Sequence, residues 1–87
     1  MYHLVLLDHT HSICVVEGET YEDIRVADLL LRGSPEYKHI FIGGWVLDVD
    51  RKEIKTVSGE AQGKDPLEAG YNWGMKPHYR LNAEPTE

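Results

Sequence analysis

The stretch Tyr2–Val16, YHLVLLDHTHSICVV, decides the fold. Its ends, "YHLVLL" and "ICVV", are short apolar runs rich in β-branched and large aliphatic residues, which is strand composition. The polar interval Asp8–Ser12 between them is short enough to be a hairpin connection. Near-continuous apolarity in both runs predicts central strands covered at least partly on both faces.

Past this pair the period changes. In Thr20–Gly33, TYEDIRVADLLLRG, Tyr21, Ile24, Ala27 and Leu31 recur at helical spacing, and Val26 and Leu30 widen the stripe. Thr20 is placed to cap the N-terminus, with Asp23 three residues on. Glu22 and Asp23 in the first turn and Arg32 in the last suit the helix dipole. Gly33 is a natural residue just past the end, and Pro35 prevents the helix from resuming. From His39, "HIFIGGWVLDV" is strand-like on both sides of Gly43-Gly44, a pair that predicts a bulge or tight turn. "DRKE" reads as a reversal and "IKTV" as a half-exposed strand.

The expected fold is therefore α+β, with a small, mostly antiparallel sheet in the order β-β-α-β-β and one helix packed on one face. Residues 1–58 form the expected core domain. Residues 59–87 form a Gly/Pro-rich C-terminal arm, irregular apart from a short strand at Tyr79–Leu81. Ile40, Phe41, Gly43, Val46 and Asp48 match an Ile-Phe-x-Gly-x-x-aliphatic-x-Asp stretch. In that stretch, and in its order of hairpin, helix and Gly-x-Pro break, the chain resembles ubiquitin-like β-grasp domains over residues 2–48. The resemblance implies a fold and a binding role. A C-terminal Gly-Gly is absent from the sequence, which ends AEPTE, so it does not imply conjugation.

With 87 residues, 41% apolar and 28% charged, the composition is that of one ordinary globular domain. A net charge of −6 repels phosphate backbones, so direct nucleic-acid binding is not expected. Arg51, Lys52 and Lys55, interleaved with Glu53, make a poor basic patch. The single cysteine, Cys14, allows no internal disulfide and no Cys-based zinc set, and its neighbours make it a small hydrophobe. No apolar run reaches a membrane span and no basic leader region is visible, which predicts a cytoplasmic protein.

Asp8, His9 and His11 carry two readings. His9 and His11 share a strand face and, with Asp8, could begin a zinc or nickel site with some hydrolytic activity, given a third or fourth ligand. His3 lies too far along the strand, roughly 20 Å at about 3.3 Å per residue, which leaves His39 or His78. Asp8-His9-x-His11 also resembles the opening motif of PHP-type phosphoesterases, but Asp8 directly abuts His9, and that departure removes the family. The second reading is turn chemistry: histidine is enriched at positive φ, and Asp8 accepts hydrogen bonds from turn amides.

The arm segment Gly70–Asn82, GYNWGMKPHYRLN, holds the residue types that anchor interfaces. Tyr71, Trp73, Met75, His78, Tyr79 and Arg80 are the candidate partner-binding residues, and Trp45 is expected in the core. No nucleophile elbow or phosphate loop is present. The functional expectation is a small, acidic, non-catalytic module with no cofactor, binding a protein partner or a second copy of itself through the arm. The alternatives are the divalent-metal protein above and an acidic decoy that inhibits a nucleic-acid-binding protein.

Overall fold

The computed structural model describes residues 1–81. Strands β1 (Tyr2–Asp8) and β2 (Ile13–Gly18) form the hairpin, in register from Tyr2 opposite Gly18 to Leu7 opposite Ile13. Helix α1 (Tyr21–Gly33) follows, then β3 (Phe41–Asp48), β4 (Glu53–Gly59) and the two-residue β5 (Tyr79–Arg80). The sheet order is β4-β3-β1-β2-β5, with β5 parallel to β2 and every other pair antiparallel. The chain is thus an α+β protein: a five-stranded mixed sheet with one helix packed on it. Both β2 and β3 run antiparallel to β1, so α1 connects two parallel strands with β1 threaded between them. Among the described residues, no helix is long and apolar enough to cross a membrane.

Alternation along β1 builds two cores. Leu4 and Leu6 face α1 and pack with Val16, Ile24, Ala27 and Val46. Val5 and Leu7 face the opposite way and pack with Val15, Trp45, Leu47, Ala61 and Tyr71. The second cover comes from the segment expected as an irregular C-terminal arm. Ala61, Pro66 and Tyr71 are fully buried there, and the Trp45 indole N–H donates to the Lys64 carbonyl at 3.2 Å. The reason is the sheet itself: with Leu4–Leu7 all buried, neither face of β1 can be left to water.

Thr20 caps α1 as its sequence predicts, its hydroxyl accepting from the Asp23 amide at 3.1 Å. The other end differs. Gly33 stays helical and Ser34 is the C-cap, in extended backbone at φ −74° and ψ 132°. Pro35 enforces this, because the ring excludes helical geometry from the residue before it. Val26 and Leu30, expected to widen the buried stripe, are exposed.

Gly43-Gly44 does not interrupt β3. The bulge falls one residue earlier, where Leu7 pairs with Gly43, Asp8 pairs with Phe41, and Ile42 is the extra residue. The two glycines serve close approach. A Cβ on Gly43 would lie 2.5 Å from the Ser58 carbonyl oxygen and 2.7 Å from the Ala61 amide, and one on Gly44 would lie 2.7 Å from the Val5 carbonyl oxygen. The chain leaving β4 passes directly over Gly43 to place Ala61 in the core. The outer edge at β4 is exposed from Glu53 to Lys55, charged, and shifted in register opposite Val46 and Leu47. The charges and the register shift both discourage strand addition there.

Gly43→Ala is expected to lower unfolding stability by about 2 kcal/mol or more, because the obstructing atoms are backbone. Gly33→Ala meets nothing within 4 Å and is expected to raise it by about 0.5–1 kcal/mol. Urea denaturation of the two variants checks both signs.

Candidate functional site

The hairpin tip adopts the turn reading. Asp8 Oδ1 accepts from the Thr10 amide (2.9 Å), the Thr10 hydroxyl (2.7 Å) and the Ser12 amide (2.9 Å). His11 occupies the left-handed region at φ 65°. The Thr10 hydroxyl, aided by the Ser12 amide, holds the Asp8 carboxyl below its ordinary pKa. One oxygen of Asp8 is thus committed to three donors, while His9 and His11 lie exposed. Among the described residues, no group of three or more His, Cys, Asp or Glu side chains comes together as a metal set.

A polar chain that sequence reasoning missed lies on the second core. His3, 1% exposed, places Nδ1 at 2.7 Å from the Tyr71 hydroxyl and Nε2 at 3.4 Å from Glu17 Oε1. Glu17 in turn faces Arg80 at 3.5 Å. Carboxylate, imidazole and hydroxyl in sequence look like a proton relay, but Tyr71 is fully buried and no substrate reaches its oxygen. Burial also pushes its hydroxyl up to about 12, the wrong direction for a nucleophile. Burial likewise lowers the His3 pKa against the opposing pull of Glu17. The neutral tautomer that fits both neighbours donates Nε2–H to Glu17 and accepts from Tyr71 at Nδ1. This chain fastens the C-terminal segment to β1 and β2.

The six arm residues therefore separate. Tyr71 is not on a contact surface but in the core, edge-to-face with Trp73 at 5.4 Å. Trp73 and Met75 are half-buried against the same cluster. His78 is a strand fastener: its amide donates to the Val15 carbonyl at 2.8 Å, and its Nδ1 accepts from the Val15 amide at 2.9 Å. Arg80 is exposed beside Glu17, and Tyr79 is 66% exposed. The part of the arm beyond Leu81 lies outside the described residues.

Tyr79 leads to an extended apolar recess on the helix side, a groove of about 460 Å³. Leu6, Cys14 and Val16 of β1 and β2 form its floor. Ala27, Leu30 and Leu31 form the helix wall, Tyr79 and Leu81 the opposite wall, and Tyr37 with Phe41 close one end. The two closing rings stack with centroids 6.4 Å apart. Burial raises the Cys14 thiol pKa, so the floor offers an apolar sulfur rather than a reactive thiolate. The groove exists because α1 buries Ile24 and Ala27 but leaves Leu30 68% exposed. A signal for it was in the sequence. Successive residues turn by about 100° on a helix, so Leu29, Leu30 and Leu31 cannot all face one core.

Tyr71→Phe is expected to cost about 1–3 kcal/mol by leaving buried His3 Nδ1 without a partner. Because the folded-state pKa of His3 is lowered, its contribution is complete above the unfolded value of about 6.5 and is lost as pH falls toward the folded one. Urea midpoints at pH 7.5 and pH 5 should therefore differ more in wild type than in His3→Gln, which keeps a polar group but does not titrate.

Comparison of the chain with known protein families, with curated proteins and with solved structures finds no match.

Proposed function

We propose that the protein is a non-catalytic binding module whose docking surface is the groove between the C-terminal half of α1 and the β2–β5 edge. The observation that carries this reading is a large apolar recess, about 460 Å³, beside an exposed leucine and an exposed tyrosine. Its volume falls in the range of functional pockets, and exposed apolar surface next to a recess is typical of recognition sites. Tyrosine and leucine there can enter a partner or receive one. This keeps the expectation of a protein-binding module but moves its surface. Of the arm's aromatic residues, Tyr79 borders the groove, whereas Tyr71 and Trp73 belong to the core.

The fastened C-terminal segment supports this reading. Through Tyr71, His3, Glu17 and His78 the chain holds β5 against β2, and so keeps Tyr79 and Leu81 in place as the groove's second wall.

Leu29 provides an internal control. It is 64% exposed, close to the 68% of its neighbour Leu30, but it does not line the groove. Affinity capture from cell extract is expected to retain its partner with wild type and Leu29→Gln baits. Leu30→Gln and Tyr79→Ser baits should weaken capture by about tenfold. Equal capture by all four baits would remove the groove as the docking surface.

A further inference from the structure

We propose that His78 is an acid-sensitive clasp: protonation of its ring releases β5 from the edge of β2, and with it the Tyr79 and Leu81 wall of the groove.

The clasp leaves the ring one working state. His78 meets Val15 twice, its amide donating to the Val15 carbonyl at 2.8 Å and its Nδ1 accepting from the Val15 amide at 2.9 Å. A backbone N–H can only donate, so Nδ1 must be unprotonated and the ring proton sits on Nε2. An imidazolium is protonated on both nitrogens and would set two donors against each other at that distance. The ring must then turn away, and the Val15 amide loses its partner. Histidine is the side chain whose ordinary titration, near pH 6.5, makes such a change reachable in mild acid.

Little else holds β5. Its ladder is Val16 with Tyr79 and Glu17 with Arg80, closed by the Leu81 amide on the Glu17 carbonyl at 2.7 Å. Neither side chain of β5 is buried. The Arg80 contact to Glu17, 3.5 Å long from a 60% exposed arginine, adds little in water.

The charged groups around the clasp offer the imidazolium no substitute partner. On β2, Glu17 is shared between His3 at 3.4 Å and Arg80 at 3.5 Å. Burial raises the Cys14 thiol pKa, so that neighbour of Val15 stays uncharged. Lys76 and Arg80 flank His78 on its own segment and are cations. Among the described residues no carboxylate pairs with the His78 ring. The anchor at Tyr71 responds differently. Burial lowers the His3 pKa, so Tyr71 keeps a neutral imidazole partner in mild acid and the opening is confined to the chain beyond it.

The test is NMR of the full chain at pH 7.5 and pH 5.5, reading ring nitrogen shifts and amide exchange corrected for its intrinsic pH dependence. At pH 7.5 the His78 ring is expected to carry its proton on Nε2. At pH 5.5 protection of the Val15 and Leu81 amides should fall by about fivefold, while amides shared by β1 and β3 hold. His78→Asn offers an oxygen in place of Nδ1 and does not titrate, so its Val15 and Leu81 protection should be equal at the two pH values. A proton on Nδ1 at pH 7.5, unchanged protection in acid, an equal fall in His78→Asn, or an equal fall across β1 and β3 each overturns the proposal. Should His78→Asn fail to fold, the wild-type titration decides: loss of Val15 protection must share its midpoint with the His78 ring, and a different midpoint refutes the clasp.

Discussion

Every other feature of this structure depends on strand β1 being buried on both faces. Leu4, Val5, Leu6 and Leu7 are consecutive and all lie within the cores, so alternate side chains demand cover above and below the same strand. A chain with one helix can cover one face. The other falls to the loop-rich segment after β4, and Ala61, Pro66 and Tyr71 are its points of insertion. That segment has little regular secondary structure, so side chains fasten it. The Tyr71 hydroxyl reaches His3, the Trp45 indole reaches the Lys64 carbonyl, and Arg80 reaches Glu17.

The same constraint explains where sequence reading succeeds. Hairpin, helix and strand order come from local periodicity and capping, and those signals lie within a few residues of one another. Thr20 caps what its position predicts, and the positive φ at His11 is the turn chemistry that residues 8–12 suggest. The arm was harder. Its Gly and Pro residues correctly indicate irregular backbone, but irregular backbone is not the same as detached backbone. Tyr71 becomes a core residue because a buried histidine sixty-eight positions away needs a partner. No local pattern carries that pairing. The role of Gly43-Gly44 is hidden for a related reason, since the crowding comes from Ser58 and Ala61 at Gly43 and from Val5 at Gly44, all remote in sequence.

The groove is what remains once the core demands are met. Ile24 and Ala27 satisfy the sheet, and Leu31 is half-buried against it, but the leucine run continues around the helix to Leu30. An amphipathic stripe wider than its own core has apolar surface to spare, which was legible in "LLL" once the helix was accepted. The opposite wall, Tyr79 and Leu81, was not, because it depends on a parallel pairing at the end of a long irregular segment.

The two walls of that groove differ in mechanical character. Helix α1 is a continuous thirteen-residue element docked through its buried stripe. Strand β5 is a ladder with two rungs, Val16 with Tyr79 and Glu17 with Arg80. Its hold is extended at both ends, by the His78 amide on the Val15 carbonyl at 2.8 Å and the Leu81 amide on the Glu17 carbonyl at 2.7 Å. The recess therefore owes one side to a continuous helix and the other to a short strap, and that second side lasts only as long as the C-terminal segment stays fastened to β2.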